Sequence, residues 1–111
     1  MSIEAKKKLY LAFMWHMHQP YYKDDLSGEY KMPWVFLHAI KDYYELVRYI
    51  EKFSSIKATF NVVPSLLEQL REYESGFVND SLLSLIKKHV SVLTVEEKKK
   101  LSTMLFYSNP K

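Results

Sequence analysis

The amino-acid sequence predicts an α/β fold with parallel strands. Three observations lead to this prediction: an alternating apolar run from Leu9 to Met17, an amphipathic helical pattern from Pro33 to Phe53, and a second alternating run from Ile56 to Val62. The order strand, helix, strand favours a right-handed βαβ unit. Because parallel sheets need cover on both faces and a (β/α) barrel takes roughly 200 residues or more, we expect the chain to form only the opening of an α/β barrel.

The predicted first strand, residues 9–17, has two different faces because successive side chains point to opposite sides. One face is bulky and apolar, and we expect it to be buried under helices. It consists of Leu9, Leu11, Phe13, Trp15 and Met17. The other face leads to His16 and His18 at the C-terminal end of the strand, where α/β barrels build their sites. Residues 20–32 contain Pro, Gly, Asp and Ser and predict a long loop.

A helix is predicted from Pro33, which suits the first helical turn, to about Phe53. Its apolar residues recur at alternating steps of four and three and form one stripe. The stripe consists of Phe36, Ile40, Tyr43, Val47 and Ile50. The second predicted strand ends near Asn61, which should lie level with the two histidines and face the same space.

Three further helices follow the second strand. Pro64 begins one that runs to about Tyr73, with Leu66, Leu67 and Leu70 on its apolar side. Asp80 is a suitable N-cap for a helix over residues 81–90. The pattern Thr94-x-x-Glu97 is a capping box, and it predicts a last helix that ends near Phe106.

Composition excludes several classes of site. The sequence has no cysteine, which removes disulfides and Cys-ligated metals and favours a cytoplasmic protein, and its two glycines leave no Gly-rich phosphate loop. The net charge of +3 is small and divided between lysine clusters at residues 6–8 and 98–100, so we expect no nucleic-acid partner. The apolar run at residues 9–15 is shorter than the roughly 20 residues that span a bilayer, so we expect no membrane partner. No motif indicates a cofactor.

The pattern His16-x-His18 leaves two other interpretations open. The histidines can be structural, partly buried and hydrogen-bonded to the backbone. Alternatively, two imidazoles at positions i and i+2 can chelate zinc, as in metal-dependent hydrolases built on barrels. That site would need ligands from later strands, because His38 and His89 lie on predicted helices.

Three blocks of the sequence resemble glycoside hydrolase family 57. Residues 16–22 (HMHQPYY) are similar to the first signature of the family, whose core is His-Gln-Pro. The resemblance continues through residues 32–44 (MPWVFLHAIKDYY) and residues 59–70 (TFNVVPSLLEQL). His-Gln-Pro alone would be a weak signal, but three blocks in this order are specific.

The resemblance implies an incomplete (β/α)7 barrel, here followed by extra helices, and a retaining enzyme that acts on α-glucans. The family uses a glutamate nucleophile and an aspartate acid/base, which retention places about 5–5.5 Å apart. No segment here is similar to either motif, so both carboxylates are expected beyond Lys111. Residues 1–111 would then be the N-terminal part of the catalytic barrel and inactive alone, and the rest of the barrel would be their partner.

The resemblance also assigns a substrate site for an α-glucan or maltooligosaccharide. The residues it implies are His16, His18, Gln19, Tyr21, Trp34 and Asn61. Imidazole and amide groups would hydrogen-bond sugar hydroxyls, the aromatic rings would stack on glucose or pack in the loop instead, and Asn61 would orient its neighbours. Two alternatives are a non-catalytic carbohydrate-binding or interaction module, and a metal-dependent barrel hydrolase that uses His16 and His18.

Overall fold

The computed structural model describes residues 7–107, and Lys6 of the first lysine cluster and the chain end at residues 108–111 lie outside the described part. The strands are β1 (Phe13–Met17), β2 (Glu29–Tyr30), β3 (Ala58–Val62) and β4 (Asn79–Asp80). The helices are α1 (Trp34–His38), α2 (Tyr44–Glu51), α3 (Pro64–Ser75), α4 (Ser81–Ile86) and α5 (Val95–Tyr107), with a π-helical turn at Ala39–Tyr43 and a 3₁₀ turn at Val90–Val92. None of the helices within residues 7–107 combines the length and the apolar character that crossing a membrane requires.

Strands β1 and β3 pair in parallel, as the order of the elements predicts. The register aligns Phe13 with Ala58 at one end and Met17 with Val62 at the other. His16 is therefore opposite Asn61, at the C-terminal edge of both strands. The chain has a mixed α/β fold in which helices connect parallel strands.

The expectation that the apolar face of the first strand is buried is confirmed at Met17 and wrong for the residues of that face before it. Residues 9–12 form no strand, and Leu9 is 84% exposed. Within β1, Phe13 and Trp15 are 52% and 44% exposed. The reason is that the core packed against the face of β1 reaches only Met17, at the C-terminal end of the strand. Within residues 7–107 the sheet has only the two strands β1 and β3.

The segment after Pro33 is helical to Glu51, but it is not one regular α-helix. A π-helical turn separates α1 from α2. Because a π turn holds more residues than an α turn, it changes the phase of the helix, and a stripe counted at 3.6 residues per turn does not stay on one face. Ile40 of the predicted stripe is exposed, whereas Val35, outside the stripe, is fully buried.

The main hydrophobic core lies where the C-terminal end of β1 meets α1 and α3. Its buried residues are Met17, Val35 and Leu66. Partly buried side chains surround them: Tyr22, Tyr43, Leu46, Phe60, Val63, Leu70 and Tyr73. This core fixes the position of the segment that follows β1.

The predicted loop over residues 20–32 contains a short strand that the sequence analysis missed. Strand β2 pairs in parallel with β4. Glu72 of α3 holds this region: its carboxylate accepts hydrogen bonds from Lys23 Nζ at 2.7 Å and from Tyr30 Oη at 3.2 Å. Burial, followed by the charge of Glu72, raises the pKa of Tyr30 well above its usual range.

The predicted starts of the last two helices, α4 and α5, are confirmed. Asp80 accepts hydrogen bonds from the backbone N–H groups of Leu82 and Leu83 and so caps α4. Thr94 and Glu97 form the reciprocal capping box, with distances of 3.0 and 3.1 Å. Helix α4 is shorter than predicted, since it ends at Ile86 and the backbone of His89 is extended.

Candidate functional site

The C-terminal edge of the β1–β3 pair carries three polar side chains. The rings of His16 and His18 are stacked, with centroids 5.9 Å apart and planes 17° from parallel, so the two imidazoles share one face as alternation predicts. Asn61 is the register partner of His16. All three residues are exposed, which differs from the partly buried structural histidines of the alternative interpretation.

Gln19 follows the histidines and is held by two tyrosines. Its Nε2 atom donates to Tyr43 Oη at 3.0 Å, and its Oε1 atom accepts from Tyr22 Oη at 3.0 Å. Tyr43 Oη also lies 3.4 Å from the carbonyl oxygen of His18, to which it donates. Burial raises the pKa of Tyr22, and the neighbouring Tyr43 adds to the effect, so the Tyr22 hydroxyl keeps its proton at neutral pH.

Helix α3 holds the same segment from the other side. Ser65 Oγ donates to the carbonyl oxygen of Gln19 at 3.1 Å. The fully buried Gln69 donates to the carbonyl oxygens of Pro20 and Ser65 and accepts from the backbone N–H of Tyr22. Gln69 is not among the site residues predicted from the sequence. The signal for it was present, because Gln69 is a polar residue three positions after the core residue Leu66 on a helix.

Tyr21 and Trp34 lie in different surroundings from the histidines. Tyr21 Oη donates to Glu68 Oε1 on α3 at 3.4 Å. Trp34, at the start of α1, lines an apolar crevice of about 210 Å³ together with Met32, Pro33 and Met104 of α5. Of the six residues that the resemblance assigns, the structure therefore places His16 and His18 on one face, with Asn61 opposite His16. Gln19 is connected to them through Tyr43, whose hydroxyl group bonds both the Gln19 side chain and the backbone of His18.

Acidic side chains near the site have other partners. Asp42 bonds to His38 Nδ1 one turn away in the helix, and Glu72 is bound to Lys23 and Tyr30. Across residues 7–107 no group of three or more His, Cys, Asp or Glu residues has the arrangement to hold a metal ion. What the edge offers chemically is hydrogen-bond donors and acceptors: two imidazoles and the amide of Asn61, followed in the chain by the amide of Gln19.

The sequence matches one family model. That model, described as Glycosyl hydrolase family 57, covers residues 12–110. The matched range includes β1, β3 and all three blocks that carry the sequence resemblance. Comparison with curated proteins and comparison with solved structures gave no match.

Proposed function

Because the chain belongs to glycosyl hydrolase family 57, we propose that it supplies part of the substrate site of a retaining, α-glucan-active glycoside hydrolase or glucanotransferase. Residues 1–111 would be the N-terminal part of an incomplete (β/α)7 barrel. The observation that carries the proposal is the exposed edge at which His16, His18 and Asn61 meet, with Gln19 directly after it in the chain. The family implies a carbohydrate substrate, and we propose that this carbohydrate is an α-glucan.

The chemistry of the edge supports a sugar ligand. A glucose ring presents hydroxyl groups that both donate and accept hydrogen bonds, and imidazole and carboxamide groups do the same. The rings of His16 and His18 lie on one face, so adjacent hydroxyls of one sugar can reach both. We assign these histidines and Gln19 to the sugar nearest the scissile bond, and Asn61 to support of its neighbour His16.

Tyr21 and Trp34 are proposed to contact sugar rings farther along the glucan. Support comes from their separate positions, Tyr21 over α3 and Trp34 beside α5, and from the exposure of part of each ring. Flat apolar ring faces suit the faces of glucose, and a chain of several sugars extends well beyond one hydrogen-bonding edge.

The proposal includes further strands that complete the barrel and carry the catalytic carboxylates. Support comes from the sheet: parallel sheets are normally covered on both faces, yet Phe13 and Trp15 are largely exposed here. A retaining enzyme needs two carboxyl groups about 5–5.5 Å apart. Asp42 and Glu72 are engaged with other partners, so we propose that residues 1–111 alone are inactive.

The lack of cysteine supports a cytoplasmic location.

The test is His18→Ala in the full-length polypeptide that contains residues 1–111, with maltooligosaccharides as substrates. Removing a hydrogen bond made to the reacting sugar should lower kcat/KM about tenfold or more. His89→Ala is the matched control, since His89 lies beside the 3₁₀ turn and bonds to Ser91. An unchanged kcat/KM for His18→Ala contradicts the site assignment. Turnover by residues 1–111 alone, abolished by a point mutation within them, contradicts the proposed inactivity.

A further inference from the structure

We propose that Tyr43 is a positioning residue that fixes the orientation of the Gln19 carboxamide, and that the π-helical turn Ala39–Tyr43 brings its hydroxyl group to the end of β1. The inference rests on the proposed function, because it describes how the same sugar-binding edge is ordered. Tyr43 lies 24 residues from Gln19 in the sequence, so only the tertiary fold brings the two side chains together.

The hydrogen bonds determine which atom of the Gln19 carboxamide faces Tyr43 and which faces Tyr22. The carbonyl oxygen of His18 can only accept, so the Tyr43 hydroxyl donates its one proton to that oxygen, at 3.4 Å. The Tyr43 oxygen must then accept from its second neighbour, and it accepts from Gln19 Nε2 at 3.0 Å. The nitrogen of the carboxamide therefore faces Tyr43, and its oxygen faces the Tyr22 hydroxyl, 3.0 Å away.

This orientation leaves defined groups for a ligand. A carboxamide has two N–H hydrogens and an oxygen with two lone pairs. Tyr43 and Tyr22 occupy one of each, so one N–H and one lone pair of Gln19 remain without a partner among residues 7–107. Of two neighbouring sugar hydroxyls, one can accept a hydrogen bond from this N–H group and the other can donate to this lone pair. If the carboxamide turned over, donor and acceptor would exchange places, and each sugar hydroxyl would have to reverse its own hydrogen bonds to stay bonded to Gln19.

The π-helical turn accounts for the position of Tyr43. Tyr43 is the last residue of that turn, and the α-helix resumes at Tyr44. Single π turns inside α-helices are rare and occur often at functional sites. The wider turn changes the direction in which the Tyr43 side chain leaves the helix. In the same turn Asp42 bonds to His38, whose ring lies 6.2 Å from that of Tyr43.

The first experiment is Tyr43→Phe in the full-length polypeptide, assayed on maltooligosaccharides. The phenyl ring keeps the packing, and only the hydroxyl is lost. We expect kcat/KM to fall about tenfold, which corresponds to the loss of one or two ligand hydrogen bonds. The matched control is Tyr44→Phe, the same chemical change on the next residue, which is 62% exposed; it should leave kcat/KM unchanged. Equal kcat/KM values for Tyr43→Phe and wild type overturn the inference.

A double-mutant cycle separates positioning from general stability. In a Gln19→Ala background there is no carboxamide to orient, so Tyr43→Phe should change kcat/KM by less than about twofold. A merely structural role of Tyr43 would lower activity by the same factor in both backgrounds, and that result also overturns the inference.

The hydrogen bonds have a readout that does not need activity. In ¹⁵N-labelled protein, the two carboxamide proton signals of Gln19 are assigned by their loss in Gln19→Ala. Tyr43→Phe should shift them and speed their exchange with water, whereas Tyr44→Phe should not. Signals that stay in place in Tyr43→Phe overturn the inference. A wild-type protein without activity on maltooligosaccharides would instead contradict the proposed function, and the carboxamide signals would still decide whether Tyr43 orients Gln19.

Discussion

Gln69 on α3 donates a hydrogen bond to the carbonyl oxygen of Pro20 at 2.9 Å, so the helix that follows β3 holds the loop that follows β1. The same carboxamide accepts from the backbone N–H of Tyr22 at 3.0 Å. One fully buried side chain thus satisfies a donor and an acceptor of the part of the loop that precedes strand β2. Because this loop directly follows Gln19, the position of Gln19 depends on the hydrogen bonds of Gln69.

Gln69→Leu should destabilise the protein. Leucine has a similar volume, so the main loss is the hydrogen bonding of the part-buried backbone groups of Pro20 and Tyr22. Each should cost about 1 kcal/mol, the low end of the range for an unsatisfied group, because water can reach them in part. The measurement is the free energy of unfolding in urea. Glu74→Gln, on the exposed side of the same helix, is the control and should be close to neutral. A Gln69→Leu protein as stable as wild type would show that water replaces these bonds.

Asp80 has two roles that different substitutions separate. Its carboxylate caps α4, and it also accepts a hydrogen bond from Tyr73, whose pKa is raised by burial first and then by Asp80. Asp80→Ala should cost about 1–2 kcal/mol for the cap and roughly 1–3 kcal/mol for the hydroxyl left without a partner. Asp80→Asn retains a good cap and should cost clearly less. The measurement is the free energy of unfolding in urea. Equal losses for Asp80→Ala and Asp80→Asn would show that the charge of Asp80 matters more than its cap.

The capping box of α5 should make stability depend on pH. The hydrogen bond from Lys88, followed by the one from Thr94 N–H, lowers the pKa of Glu97. A carboxyl group whose pKa is lower in the folded state stabilises the protein above its unfolded value of about 4.5, and the contribution is lost as the pH falls through the folded value. Glu97→Gln should therefore be less stable than wild type at pH 7, with a difference in melting temperature that closes toward pH 3.

Glu96→Gln is the control for this pH dependence. Glu96 lies in the same first turn of α5 and shares the helix dipole, but it has no hydrogen-bond partner among the described residues. At pH 7, Glu96→Gln should therefore lower the melting temperature by less than Glu97→Gln does. A difference for Glu97→Gln that stays constant from pH 7 to pH 3 would contradict the assigned cause.

Two adjacent leucines should respond very differently to truncation. Leu66 is fully buried in the core with Met17 and Val35, whereas Leu67 is 40% exposed. Leu66→Ala should cost about 2–5 kcal/mol, because it removes buried methyl groups and leaves a cavity. Leu67→Ala should cost well under half of that. Similar losses for both in urea unfolding would mean that the exposed face of α3 is covered in the full-length protein.

Much of this fold could be predicted from local patterns. The structure confirms that the strands pair in parallel and that His16 lies opposite Asn61. It also confirms the Asp80 cap and the Thr94–Glu97 capping box. These features depend on residues that are close in sequence or on the two-residue period of a strand, which the sequence displays directly.

Other features depended on contacts between distant residues. The burial of the first strand before Met17 was predicted wrongly because burial is a property of what covers a strand, and the core packed against β1 reaches only Met17. The pairing of β2 with β4 joins segments about 50 residues apart, each only two residues long, which is too short to show a period.

The sequence by itself determined that this is an α/β chain of glycosyl hydrolase family 57 with polar side chains at one strand edge, because strand alternation and the three blocks are written in local order. Only the tertiary structure decided that Gln19 is held between Tyr22 and Tyr43, and that Gln69 holds the loop behind it. These hydrogen bonds span 3 to 49 residues, and their geometry depends on how the π turn and α3 pack against β1. A pattern of residue types records which side chains are polar, and packing decides which partners they meet.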